Sequence, residues 1–146
     1  MKKRIFILIL TLLPLLTFST PEAGIIIGNP TGLSFEYVNI QVGVGWDIDK
    51  YFNMNIDYLL FNKSGIISGA PSLGLYAGLG GAFQIESNNE KSNDDKNKLG
   101  IRIPLGIFVL IKDIPLRIFL EVAPTMYLIE STSFGFGVGL GIRYVF

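Results

Sequence analysis

From Phe134 to Phe146 the chain reads FGFGVGLGIRYVF, an apolar side chain alternating first with glycine and then with Arg143 and Val145. Successive side chains of a β-strand point to opposite faces, so Phe134, Phe136, Val138, Leu140, Ile142, Tyr144 and Phe146 share one face. The other face carries Gly135, Gly137, Gly139 and Gly141 and is almost bare. In a soluble half-buried strand the apolar face is set against a polar, hydrated one. Neither face here is built for water. The arrangement that suits both is a closed barrel, with lipid against the apolar face and a narrow lumen on the glycine side.

The same period of two recurs along the chain, whereas helical periodicity does not. Leu73, Leu75, Leu79, Phe83 and Ile85 share a face opposite Gly74, Tyr76, Gly78, Gly80, Gln84 and Glu86. Leu99, Ile101, Ile103, Leu105, Ile107 and Val109 likewise oppose Gly100, Arg102, Pro104, Gly106 and Phe108. Extended through the chain, the pattern predicts eight strands: Gly24 to Gly28, Gly32 to Tyr37, Ile40 to Asp47, Tyr51 to Phe61, Ser72 to Glu86, Leu99 to Ile111, Leu116 to Tyr127 and Phe134 to Phe146. The expected fold is all-β, an eight-stranded antiparallel up-and-down transmembrane barrel. Pro104 and Pro124 fall inside expected strands, where a proline removes a ladder hydrogen bond, so either bulges or strand boundaries other than these are expected there.

Residues 1–19, MKKRIFILILTLLPLLTFS, have the basic start, short apolar run and small closing residues of a secretory signal, with cleavage expected near 19–23. The barrel is then expected over 24–146. Losing Lys2, Lys3 and Arg4 leaves nine basic against twelve acidic residues, a net charge of −3 that disfavours a nucleic-acid partner. Cysteine is absent, so no disulfide holds the fold. Histidine is absent too, which removes the commonest general base and metal ligand. No catalytic residue, cofactor or metal is expected.

An even strand count with the C-terminus on the inner side places 28–31, 48–50, 87–98 and 128–133 outside the cell. Trp46, Phe83 and Phe134 then lie near the outer interface, and Tyr37, Tyr144 and Phe146 near the inner one, as aromatic belts do. The segment 87–98, SNNEKSNDDKNK, is wholly polar and reads as a solvated outer loop that could engage an extracellular protein through Asn88, Asn89, Glu90, Lys91, Asp94, Asp95 and Lys96.

An outward C-terminal Phe146 with Tyr144 two residues before it resembles the terminal signal that outer-membrane barrels present to their assembly machinery. The phrases GIIIGNPTGLSFEY, LGIRIPLG, FLEVAP and LGIRYVF also resemble a family of small outer-membrane β-barrel proteins, similar in size to the transmembrane domain of outer-membrane protein A. The resemblance implies an outer-membrane location and a barrel fold, and no substrate or catalytic residue.

The mixed face gathers Glu36, Asp57, Glu86, Arg102, Arg117, Glu121 and Arg143. About eight strands enclose an interior that side chains fill, and charges buried there need partners. An internal ion-pair network is the expected reading, with Glu86 and Arg102 near the outer end, Glu121 and Asp57 near mid-height, and Glu36 and Arg143 near the inner end. A narrow pore gated by the same charges is the alternative. A soluble lipid-binding barrel of lipocalin type would need Lys and Glu along an outer face, which the glycine-rich mixed face does not supply. The glycines of 78–81 and 137–141 alternate within strands, without the strand-to-helix setting of a nucleotide loop.

Overall fold

The computed structural model describes residues 20–47, 51–86, 96–129 and 132–146. Among them lie nine strands, β1 (Glu22–Asn29), β2 (Thr31–Tyr37), β3 (Ile40–Asp47), β4 (Tyr51–Ser64), β5 (Leu73–Glu86), β6 (Lys96–Arg102), β7 (Leu105–Ile111), β8 (Leu116–Tyr127) and β9 (Ser133–Val145). Every pairing among the described strands is antiparallel, and β1 closes the sheet on β9 from Glu22↔Val145 to Asn29↔Val138. The expected signal, residues 1–19, falls outside the described residues.

Strands β6 and β7 are two halves of one stave. Both pair β5 on one side and β8 on the other, with Gly80↔Arg102 and Ala77↔Leu105 in a single unbroken register. The barrel is therefore eight-stranded. The break falls at Ile103 and Pro104 because two prolines meet there. The Pro104 carbonyl accepts from Gly78 N at 2.9 Å and the Pro124 carbonyl from Ile103 N at 3.0 Å, but neither proline nitrogen can donate in return. Of the two expectations, the displaced boundary is met at Pro104, where the expected strand Leu99 to Ile111 divides, and no bulge forms at Pro124, where β8 and β9 stay in register through Pro124↔Phe136.

The register shift lies instead between Leu59 and Phe61, where Leu60 is an extra residue in β4. An inserted residue exchanges the two faces beyond it. Leu59 points into the lumen, Leu60 and Phe61 stand exposed, and Asn62 turns back inside. Strand β4 therefore runs three residues past the expected Phe61. At the other end of the barrel the expected loop 87–98 is shortened by Lys96, which opens β6 opposite Glu86. The polar run KNK hides this part of the strand because it rises beyond the apolar band.

The apolar face is outside. Ile25, Leu33, Ile56, Leu79, Ile101, Leu120 and Leu140 are exposed around the circumference, whereas Ser34, Gln41, Asn55, Asp57, Glu121 and Arg143 are buried in the lumen. This is the reverse of a soluble lipid-carrying barrel. Trp46 pairs Phe52 toward one rim; Tyr37, Tyr58 and Tyr144 ring the other, where the Tyr144 and Phe146 rings meet edge to face at 5.1 Å. Both ends of the barrel-forming chain lie at this second rim, hereafter the termini end.

The bare glycine face has a steric cause. A Cβ at Gly141 would stand 2.1 Å from the Phe119 ring, and one at Gly106 2.0 Å from the Tyr76 ring. Large lumen side chains lie sideways across the neighbouring strand, and glycine is what they lie on. We expect Gly141→Ala to cost about 1–3 kcal/mol through overpacking, whereas Gly81→Ala, with nothing nearer than 3.9 Å, stays within about 0.5 kcal/mol. Urea titrations of the refolded barrel compare the two, and equal losses would dismiss the steric account.

Candidate functional site

The lumen is stacked in three layers. At the termini end, Arg143 is the best-buried large side chain, 0% exposed. Its Nη1 lies 2.5 Å from Glu36 Oε2, and its Nε and Nη2 donate to Ser34 Oγ at 3.0 and 2.7 Å. Arg117 spans two carboxylates, with Nη2 at 2.9 Å from Glu22 and Nη1 at 3.2 Å from Glu36. Asn62, delivered inward by the β4 bulge, donates to Glu36 Oε1 at 2.6 Å. Two arginines and two glutamates make this layer formally neutral.

Above it the lumen is apolar. Leu59, Tyr76, Phe108 and Phe119 form a buried cluster with Ile26 and Leu110 against it. The arginines below are joined to it through their faces: Arg117 lies over the Phe108 ring at 4.2 Å and Arg143 over the Phe119 ring at 4.1 Å. Desolvated cation–π contacts of this kind contribute about 2 kcal/mol each.

The third layer turns on Arg102. Its Nε is 3.1 Å from Asp57 and its Nη2 2.5 Å from Glu121. Glu121 Oε2 also accepts from Gln41 at 2.6 Å and from the Tyr76 hydroxyl at 2.7 Å, and Asp57 accepts from Asn55 at 2.7 Å. One arginine faces two carboxylates here. The additional negative charge is met by neutral donors, as buried carboxylates require.

Six of the seven expected lumen charges enter these layers: Glu36, Asp57, Arg102, Arg117, Glu121 and Arg143. Arg102 joins the mid-height acids Asp57 and Glu121, whereas the sequence reading had set it beside Glu86 near the outer end. Strand tilt brings it level with Asp57, through Gly80 opposite both residues. The side chain of Glu86 lies outside the described residues, as do Asn88, Asn89, Glu90, Lys91, Asp94 and Asp95. Glu22 was missed, because β1 begins two residues before the expected Gly24. Carrying the alternation back from Gly24 would have placed it inward.

Water-accessible space remains at both ends. The loop end holds a cavity of about 350 Å³ above Arg102, and the termini end one of about 280 Å³ beside Glu22, Glu36 and Arg117. The three layers stand between them.

The family described as a protein of unknown function, DUF3996, matches residues 19–146. The chain belongs to the DUF3996 family. No curated protein matches it. In three dimensions this DUF3996 chain is similar to the N-terminal β-barrel domain of Pseudomonas aeruginosa OprF, known from a crystal structure, with a TM-score of 0.58 and 18% identity over 88% of this chain and 96% of that one. At that identity the likeness is one of fold. It agrees with the eight-stranded barrel read from the alternation.

Removing one member of a buried pair strands its partner, typically at a cost of about 3–5 kcal/mol. Arg143→Leu should lose that much, since Glu36 and Ser34 lose their guanidinium and Phe119 its cation. Arg143→Lys should recover only part of it, because one ammonium cannot hold Glu36 and Ser34 while lying flat on a ring. Denaturant midpoints measured in micelles give the ranking, and a wild-type midpoint for Arg143→Leu would deny the layer its structural role.

Proposed function

We propose that this chain is exported and inserted into the bacterial outer membrane as a small barrel with a side-chain-packed lumen, serving a structural or surface-interaction role and not a catalytic one. The observation that carries the reading is the side-chain-filled middle of the lumen, where the Arg102, aromatic and Arg143 layers lie between the two end cavities and leave a void of about 30 Å³ beside Ser34, Gln41 and Glu121. The apolar outer wall supports the membrane setting, since a barrel without edges satisfies its backbone in lipid. With the termini facing inward, the end of the barrel opposite the termini faces out, and we assign to that end the docking of an extracellular protein ligand. The exposed Tyr144 and Phe146 rings are the feature we assign to the assembly machinery.

A narrow pore is the second reading. The polar cavities entering from both ends favour it, because only the three layers need to part.

Planar-bilayer recording of the refolded chain separates the two, with unheated and boiled gel mobility reporting the folded barrel. We expect an electrically silent membrane. Discrete current steps that change on Arg102→Gln would replace the packed lumen with a channel. Deleting 88–95 should leave gel mobility unchanged, and if it also leaves whole-cell binding to extracellular proteins unchanged, the loop is not the docking surface. Removing Phe146 should lower the amount assembled in cells several-fold while refolding in detergent proceeds; equal assembly would dismiss the terminal signal.

A further inference from the structure

A notch in the outer wall is built beside the β4 bulge. Ala77 is a small outward residue between Leu75 and Leu79 on β5, and its partners are Phe61 on β4 and Leu105 on β7. Beside those larger side chains it leaves an open notch of about 400 Å³, which continues past Leu120 to Val122 on β8. The bulge decides what borders it. Without Leu60, the alternation that buries Leu59 would turn Phe61 and Lys63 into the lumen as well; with it, both stand exposed on the outer face.

The two side chains so exposed differ in chemistry. Phe61 walls the notch, and the Lys63 ammonium lies 5.9 Å from the centre of the Phe61 ring. Lys63 is opposite Leu75, another lining residue, and one outward step nearer the termini end than Phe61. The apolar wall thus gives way to a cation at the edge of the notch. Among the described residues Lys63 meets the Phe61 ring and no carboxylate. The described strand carboxylates Glu22, Glu36, Asp57 and Glu121 are all buried in the lumen, and Lys112 and Asp113 lie in the exposed turn between β7 and β8.

We infer that the notch is a seat for one membrane phospholipid, with an acyl chain along Ala77 and the phosphate on Lys63. The inference rests on the membrane reading above. A hydrocarbon chain suits an opening that is apolar from Phe61 to Val122, and the phosphate supplies the anion that an ammonium at the edge of an apolar surface attracts. A second copy of the chain is the competing occupant. It would bring an apolar wall to the notch but, from its described strand faces, no outward carboxylate to Lys63. A phospholipid meets both demands in one molecule, its phosphate at the termini end and its acyl chain reaching from there into the apolar band.

Native mass spectrometry of the full chain, refolded in a nonionic polyoxyethylene detergent, tests this. The probes are dimyristoylphosphatidylglycerol and dimyristoylglycerol, which has the same chains and no phosphate. One phosphatidylglycerol should be retained per barrel, saturably, and dimyristoylglycerol ~5-fold more weakly, the worth of one lysine beside an anionic lipid. Lys63→Gln should weaken phosphatidylglycerol by the same factor while Lys63→Arg keeps it, and Ala77→Leu should abolish retention by filling the notch. Unheated gel mobility reports that the variants fold, and the comparison of the two lipids needs no variant. Equal retention of both lipids, unchanged retention in folded Lys63→Gln or Ala77→Leu, or a dimer that excludes lipid and is lost on Ala77→Leu would overturn the proposal. Flotation with dimyristoylphosphatidylcholine vesicles checks the membrane reading separately. A chain that floats yet retains no phosphatidylglycerol sinks the seat alone, whereas one that does not float sinks the membrane reading and the seat with it.

Discussion

The closure of β1 on β9 is the constraint from which the other features follow. A sheet whose outer face is leucine, isoleucine and phenylalanine all the way round cannot leave an edge of unpaired amides beside that face. Eight pairs from Glu22↔Val145 to Asn29↔Val138 remove the edge. Closure at eight strands in turn fixes a lumen too narrow for water to solvate charges freely. Among the described residues, Glu22, Glu36, Asp57, Glu121 and the three inward arginines are each held by a charged neighbour.

That narrowness also orders the contents. Side chains long enough to cross the lumen cannot all point at the axis, so Phe119, Tyr76 and Phe108 lie flat along the wall over Gly141, Gly106 and Gly74. The rings so placed present faces, and guanidinium groups cover two of them. Charge, ring and glycine thus form a repeating unit in which each member depends on the shape of the next.

The barrel was legible because period-two alternation survives in strand after strand, and because a face bare of side chains is hard to explain any other way. Individual lumen charges were legible for the same reason: parity alone assigns Glu36, Arg117 and Arg143 inward. What parity cannot supply is height. Strand tilt brings Arg102 to Asp57 and Glu121, and no spacing along one strand contains the tilt between two. Parity fails outright at Leu60, where nothing in LLFNKS marks an extra residue, and so the expected strand stops at Phe61, short of Asn62. Of the two prolines, Pro104 marks a strand boundary and Pro124 marks neither a boundary nor a bulge. A bulge is the usual escape for a proline in a paired strand, but here Pro104 and Pro124 keep their carbonyl bonds and forgo only the return donation.

That shared height has a mechanical consequence. Pro104 and Pro124 remove donors from the two seams flanking the same stave, so the wall is not equally strong around its circumference. The carbonyls of Gly78 and Ile103 lie opposite ring nitrogens at the junction of β6 and β7, just above an apolar notch lined by Ala77, Leu105 and Gly106. The stave is thereby divided into an upper half that carries Arg102 and a lower half that carries Phe108, joined by a joint with half its fastenings. Bending of the wall concentrates there, and the residue it moves first is the arginine that forms the floor of the loop-end cavity.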